Sequence, residues 1–201
     1  MIDFFKTDKF LSGFSNHPSK DCNFTCTYFP LLIYLFAKIH GSKNILEIGS
    51  AEGYSSYYLA EIAKENGGMY YGIDINPGLV ERVDKLLGDL PYKMICADTK
   101  KMEKIDFTDS LDIVWIDGEH TTEAVMHEIE LIYPLLKDRG FSFVFIHDIV
   151  DMGNSGAWLK LKSDPRFESI GLEANYGLGI LRKLENVRYD EKAKMFEVKH
   201  L

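Results

Sequence analysis

A repeated rhythm restricts this chain more than any other feature. From Ile45 onward, short apolar runs alternate with stretches of helical spacing, and the runs end at or near acidic or polar residues. Ile45–Ile48 is the first run. Met69–Ile73 ends in Asp74, Tyr92–Cys96 ends near Asp98, Leu111–Ile116 ends in Asp117, and Phe141–Ile146 ends at His147-Asp148. Between them, Ser55–Lys64, Pro77–Leu87 and Thr122–Leu136 have helical spacing; proline opens the second and Gly140 closes the third. Thr25–His40 reads as a buried helix stopped by Gly41, and a further helix falls around Ala157–Leu161. Strands alternating with helices predict an α/β fold on a largely parallel sheet. Phe167–Leu172 and Gly179–Leu184 read as a last pair of strands. The expected division is an N-terminal arm and cap helix over 1–40, one α/β domain over 41–184, and a charged tail over 185–201 with an extra strand at Met195–Val198.

Open α/β sheets bind ligands beyond the carboxyl ends of their strands. The first strand ends in Glu47-Ile48-Gly49, and Gly53 follows four residues later. Glycines here let the backbone turn sharply beside a ligand and hand over to a helix N-terminus. Dinucleotide-binding turns carry G-x-G-x-x-G, but Ala51 stands where the second glycine would be. The negative charge of Glu47 is unhelpful beside a pyrophosphate and suits the amino and sulfonium groups of S-adenosylmethionine. Asp74 is placed to accept bonds from two ribose hydroxyls. Asp98 could take the adenine amino group. Each aspartate alone is equally well explained as the start of a turn.

The ordered set resembles the class I S-adenosylmethionine-dependent methyltransferases. Leu46-Glu47-Ile48-Gly49 with Gly53-Tyr54-Ser55 is similar to the first cofactor motif of small O-methyltransferases. Ile116-Asp117-Gly118-Glu119-His120, then Tyr133-Pro134-Leu135-Leu136, Gly140 and His147-Asp148, resembles the macrocin-type and related subgroup. The resemblance covers about Asn44 to Lys183. It implies a Rossmann-like, seven-stranded, mostly parallel sheet with helices on both faces and an antiparallel last strand. It implies cofactor contacts at Glu47, Gly49, Ser50, Gly53, Tyr54, Asp74, Ile75, Asp98, Thr99 and Asp117.

Asp117, His120, His147 and Asp148 lie at the ends of the fourth and fifth strands. Two catalytic roles are open. Asp117 and Asp148 offer hard oxygen ligands that suit Mg²⁺ or Ca²⁺, and such a cation would lower the pKa of a substrate hydroxyl. Related cation-dependent enzymes carry an acidic pair where His147-Asp148 stands, and the imidazole shifts preference toward a transition metal. In the metal-free role, His120 or His147 accepts the hydroxyl proton. Adjacent residues on a strand point to opposite faces, so a side-chain bond between His147 and Asp148 is not assured. Trp158 could border the acceptor site.

The rest of the composition narrows the function classes. A net charge of −8 gives no sign of the basic face that nucleic-acid binding needs. Asp117 is followed by Gly118-Glu119-His120, not by the Asp/Asn-Pro-Pro-aromatic segment of enzymes that methylate base amino groups. Cys22, Cys26 and Cys96 form neither a disulfide framework nor, with His17, a complete zinc site. No signal peptide or spanning segment stands out, so the cytoplasm is the default. The expected reaction is O-methylation of a hydroxyl on a small molecule. A nicotinamide oxidoreductase and a non-catalytic S-adenosylmethionine-binding module are the alternatives. Pairing of two copies is expected only by analogy with the group.

Overall fold

The computed structural model describes residues 28–137, 141–150, 153–173, 176–184, 187–190 and 195–198. Helix α1 (Tyr28–His40) leads into strand β1 (Asn44–Ile48), followed by α2 (Tyr54–Glu65), β2 (Met69–Asp74), α3 (Pro77–Leu87) and β3 (Tyr92–Cys96). After a 3-10 turn at Thr99–Lys101 come β4 (Ile113–Ile116), α4 (Thr122–Ile132), β5 (Phe143–His147), α5 (Ser155–Leu161), β6 (Phe167–Leu172) and β7 (Leu178–Lys183). These seven strands form one sheet in the order β3-β2-β1-β4-β5-β7-β6. Six of them run in one direction; β7 alone is reversed, pairing antiparallel with both β5 and β6. The sheet therefore has the expected seven-stranded, Rossmann-like form with antiparallel pairing at its last strands.

The strands read as continuous apolar runs because both faces are covered. Along β4, Ile113 and Trp115 face a layer with Ile33, Ala37, Leu59, Ile62 and Val83 from α1, α2 and α3. Val114 and Ile116 face the opposite layer, with Val125, Ile129 and Ile132 of α4 and Ala157 and Leu161 of α5. Glu47 pairs in register with Trp115, and Trp115 with Phe145, in the three central strands.

Several boundaries differ from the expected ones. The helix expected over Thr122–Leu136 stops at Ile132 and continues as a 3-10 turn over Tyr133–Leu135. Pro134 has no N–H to extend the α-helical ladder. β4 begins at Ile113; Leu111 instead bridges to Leu136. Val187–Asp190 pairs antiparallel with the expected Met195–Val198 strand in a separate two-stranded sheet. The expectations for the arm before residue 28, for Cys22 and Cys26, and for Gly140 fall outside the described residues.

Candidate active site

Strand order reverses between β1 and β4, whose connections leave on opposite faces of the sheet. A cavity of about 680 Å³ opens there, at the carboxyl ends of the strands. Its walls combine the β1–α2 turn, the ends of β2 and β3, and the segments after β4 and β5.

The turn is held by backbone geometry. The Gly49 N–H donates to the Ile73 carbonyl at 2.8 Å, and the Gly53 N–H to the Ser50 carbonyl at 2.8 Å. Gly49 has φ +90°, and a Cβ there would lie 2.4 Å from the Asp117 carbonyl oxygen, so only glycine fits. Gly53 (φ +84°) caps α2 without a side chain and faces Val83 and Leu86 of α3. It sets the helix entry and is not on the cavity wall, whereas Gly49, Ser50, Ala51, Glu52, Tyr54 and Ser55 are. Asp74 does two jobs. It lines the cavity, and its carboxylate accepts from the Ala51 N–H at 3.0 Å and the Asn76 N–H at 2.8 Å, tying the turn to the end of β2.

Glu47 lies one layer behind the wall. It is fully buried, and its carboxylate accepts hydroxyl bonds from Ser55, Ser56 (2.5 Å) and Tyr70. Burial pushes its pKa up to about 7, opposed by those three donors. Its link to the cavity runs through Ser55, which is on the wall.

Ile75, Leu79, Ala97, Asp98 and Thr99 line the far end, with Gly118, Glu119 and Glu128. Asp98 accepts from the Lys100 N–H at 3.1 Å and pairs with Lys101 Nζ at 3.1 Å, so it also starts the 3-10 turn. Thr99 Oγ1 donates to Glu128 Oε1 at 2.7 Å. Glu128 was not among the expected site residues. The available signal was an acid at a core position of α4, between Val125 and Ile129.

The near end gathers Asp117, His120, His147 and Asp148 on one wall. His147 Nδ1 lies 2.9 Å from Asp117 Oδ1 and 3.4 Å from Asp148 Oδ1. His120 Nδ1 lies 3.0 Å from Asp148 Oδ2. His147 and Asp148 are both buried. The strand rule that would point His147 and Asp148 apart does not apply, because the strand has ended: Asp148 adopts φ +57°. Aspartate tolerates this left-handed conformation better than most residues. Burial raises the Asp148 pKa; His147 and His120 pull it down, and Asp117 adds to the rise. Asn154 Nδ2 donates to the His147 carbonyl at 2.9 Å, and Phe29 meets the His147 ring edge-on. Thr121, not His120, caps α4, its hydroxyl accepting from the Ala124 N–H at 3.2 Å. Trp158 packs under the sheet, where a Cβ on Gly179 would sit 2.7 Å from its ring; it is not on the cavity wall.

Residues 46–149 match the methyltransferase domain family. The chain belongs to this family, in its S-adenosylmethionine-dependent class. Malonyl-[acyl-carrier protein] O-methyltransferase of Anoxybacillus flavithermus is 32% identical over 112 residues, which are 51% of this chain and 42% of that protein. The chain thus spans less than half of that relative. An O-methyltransferase from Bacillus cereus in complex with S-adenosylhomocysteine superposes with a TM-score of 0.62 at 17% identity, over 87% of this chain and 88% of that one. The O-methyltransferase TomG from Streptomyces achromogenes, in complex with S-adenosylmethionine, gives a TM-score of 0.62 at 17% identity, over 77% and 79%. A methyltransferase of this class takes S-adenosylmethionine as its donor, which replaces the nicotinamide alternative. Among the described residues, no helix is long and apolar enough to cross a membrane.

Proposed function

We propose that this methyltransferase transfers the donor's methyl group to a hydroxyl oxygen of a small molecule, and that the Asp117–His120–His147–Asp148 cluster removes the hydroxyl proton. The carrying observation is that this cluster shares one cavity with the glycine turn and Asp74. The donor's sulfonium is already activated, so the protein must align it and generate the nucleophile. A base takes the proton, the oxygen–carbon bond forms, and the sulfur–carbon bond breaks to leave neutral S-adenosylhomocysteine.

A divalent cation fits the cluster. Asp117, His147 and Asp148 present ligand atoms within 4.8 Å of one another. Two carboxylates and one imidazole suit Mn²⁺, Fe²⁺ or Zn²⁺ better than Mg²⁺. Such a cation would lower the pKa of the acceptor hydroxyl. A second, metal-free reading rests on the His120–Asp148 contact. With Nδ1 held at 3.0 Å from Asp148, His120 has Nε2 left to accept the proton.

The test is a mass-spectrometric screen of hydroxylated sugars and phenols with S-adenosylmethionine, looking for a methyl mass gain. Methylation only of carboxyl or amino compounds would overturn the hydroxyl reading. Loss of activity in EDTA, with Mn²⁺ binding seen by calorimetry and lost in Asp117→Ala, supports the cation. Full activity in EDTA leaves the His120 base.

A further inference from the structure

Three landmarks orient a donor molecule in the cavity. On the donor placement that the sequence motifs imply, the glycine turn faces the amino-acid end, Asp74 the ribose, and the Asp117–His147 cluster the methyl group. The purine is left with the far end, between Ile75, Leu79 and Ala97 on the apolar side and Thr99, Glu119 and Glu128 on the polar side.

The carboxylates at that end differ in whether an oxygen is buried without a partner. Both oxygens of Asp98 are engaged, one by a backbone N–H and the other by Lys101. Glu119 pairs with Lys100 Nζ at 2.6 Å. Glu128 is 1% exposed; its Oε1 accepts from Thr99, and its Oε2 has no hydrogen-bond partner. A buried carboxylate oxygen without a partner is costly and rare. α4 has no packing need for it, since Ala124, Val125, Ile129 and Ile132 already supply its apolar stripe. The cost is relieved if a ligand brings an N–H donor.

We infer that Glu128 Oε2, and not Asp98, accepts the adenine 6-amino group and makes the site selective for an amino purine over a 6-oxo purine. The inference rests on the donor being S-adenosylmethionine. Thr99 acts as a positioning residue that orients the carboxylate through Oε1.

Calorimetry with S-adenosylhomocysteine and S-inosylhomocysteine tests it. The second ligand places an acceptor oxygen where the first has the amino group. Wild-type protein is expected to favour the adenosyl ligand about 100-fold, as expected when an unmatched buried polar group is left. Glu128→Gln, which can turn its amide N–H₂ toward the 6-oxo group, is expected to cut the preference below about fivefold. Asp98→Asn is expected to change it much less than Glu128→Gln does. If Glu128→Gln does not fold, Glu128→Asp, which withdraws the carboxylate by one methylene, should lower the preference at least tenfold. A wild-type protein without preference, an unchanged preference in the Glu128 variants, or its collapse in Asp98→Asn would each overturn the inference. Failure of the wild type to bind either ligand would instead remove the donor reading on which it rests.

Discussion

Glu128 carries a cost that can be measured without any ligand. Burial pushes its pKa from the ordinary 4.5 up to about 7, against the opposing bond from Thr99. A carboxyl whose folded-state value is raised favours folding most when both states are protonated. Its contribution is present below the unfolded value near 4.5 and is lost as the pH climbs to about 7. Glu128→Gln removes that loss. The ligand-free variant is expected to match wild type near pH 4.5 and to exceed it by up to about 3 kcal/mol at pH 8, as read by urea denaturation. Equal stabilities at pH 8 would contradict the burial argument. Gly49 makes the opposite case. A methyl group there meets the Asp117 backbone, and φ +90° strains any L side chain. Gly49→Ala is expected to cost at least about 2 kcal/mol and to weaken S-adenosylhomocysteine binding. Both residues were present in the sequence, but only one was legible. A glycine after an apolar run announces a turn. An acid on a helix reads as solvent-facing until the neighbouring apolar stripe is seen to enclose it.

At the level of elements, the sheet was legible because its parallel strands are buried on both faces and leave uninterrupted apolar runs. Each strand end was legible for the same reason: the run stops where the polar ligand-facing residue begins. What sequence spacing could not show was how the chain leaves β5. Alternation along a strand separates His147 from Asp148, yet the left-handed backbone at Asp148 returns its carboxylate toward the imidazole. The turn is reinforced by Asn154, at the start of α5, which holds the His147 carbonyl. Asp148→Asn keeps a residue that tolerates this backbone and removes only the charge. It is expected to leave the melting temperature within a few degrees and to lower kcat roughly 100-fold. An equal fall in stability and activity would mean that Asp148 only shapes the turn. Asn154→Ala is expected to cost about 1–2 kcal/mol by leaving a buried carbonyl unpaired. Chemical denaturation checks it; a variant as stable as wild type would show that the carbonyl finds another donor. The strand at Val187–Asp190 was not legible, because the charged residues of the tail mask its alternation.

For the whole molecule, the decisive arrangement is the reversal of strand order between β1 and β4. Everything contributed by Asn44–Lys101 lies on one side of it, including the glycine turn, Asp74 and Asp98. Asp117, His120, His147 and Asp148 come from the other side. The boundary is also a boundary along the chain. On the proposed function, donor capture and acceptor chemistry fall largely in two consecutive stretches of polypeptide, joined across a single pair of neighbouring strands. Gly118, Glu119 and, from α4, Glu128 cross the division by reaching back to the end of the cavity lined by Ala97, Asp98 and Thr99. Recombination can therefore act on the second stretch almost alone: a graft of the residues after β4 and β5 from another family member, with Glu128 and Thr99 retained, should inherit the foreign acceptor while keeping the original donor affinity. Lineages built this way would diversify in what they methylate and stay conservative in what they methylate with.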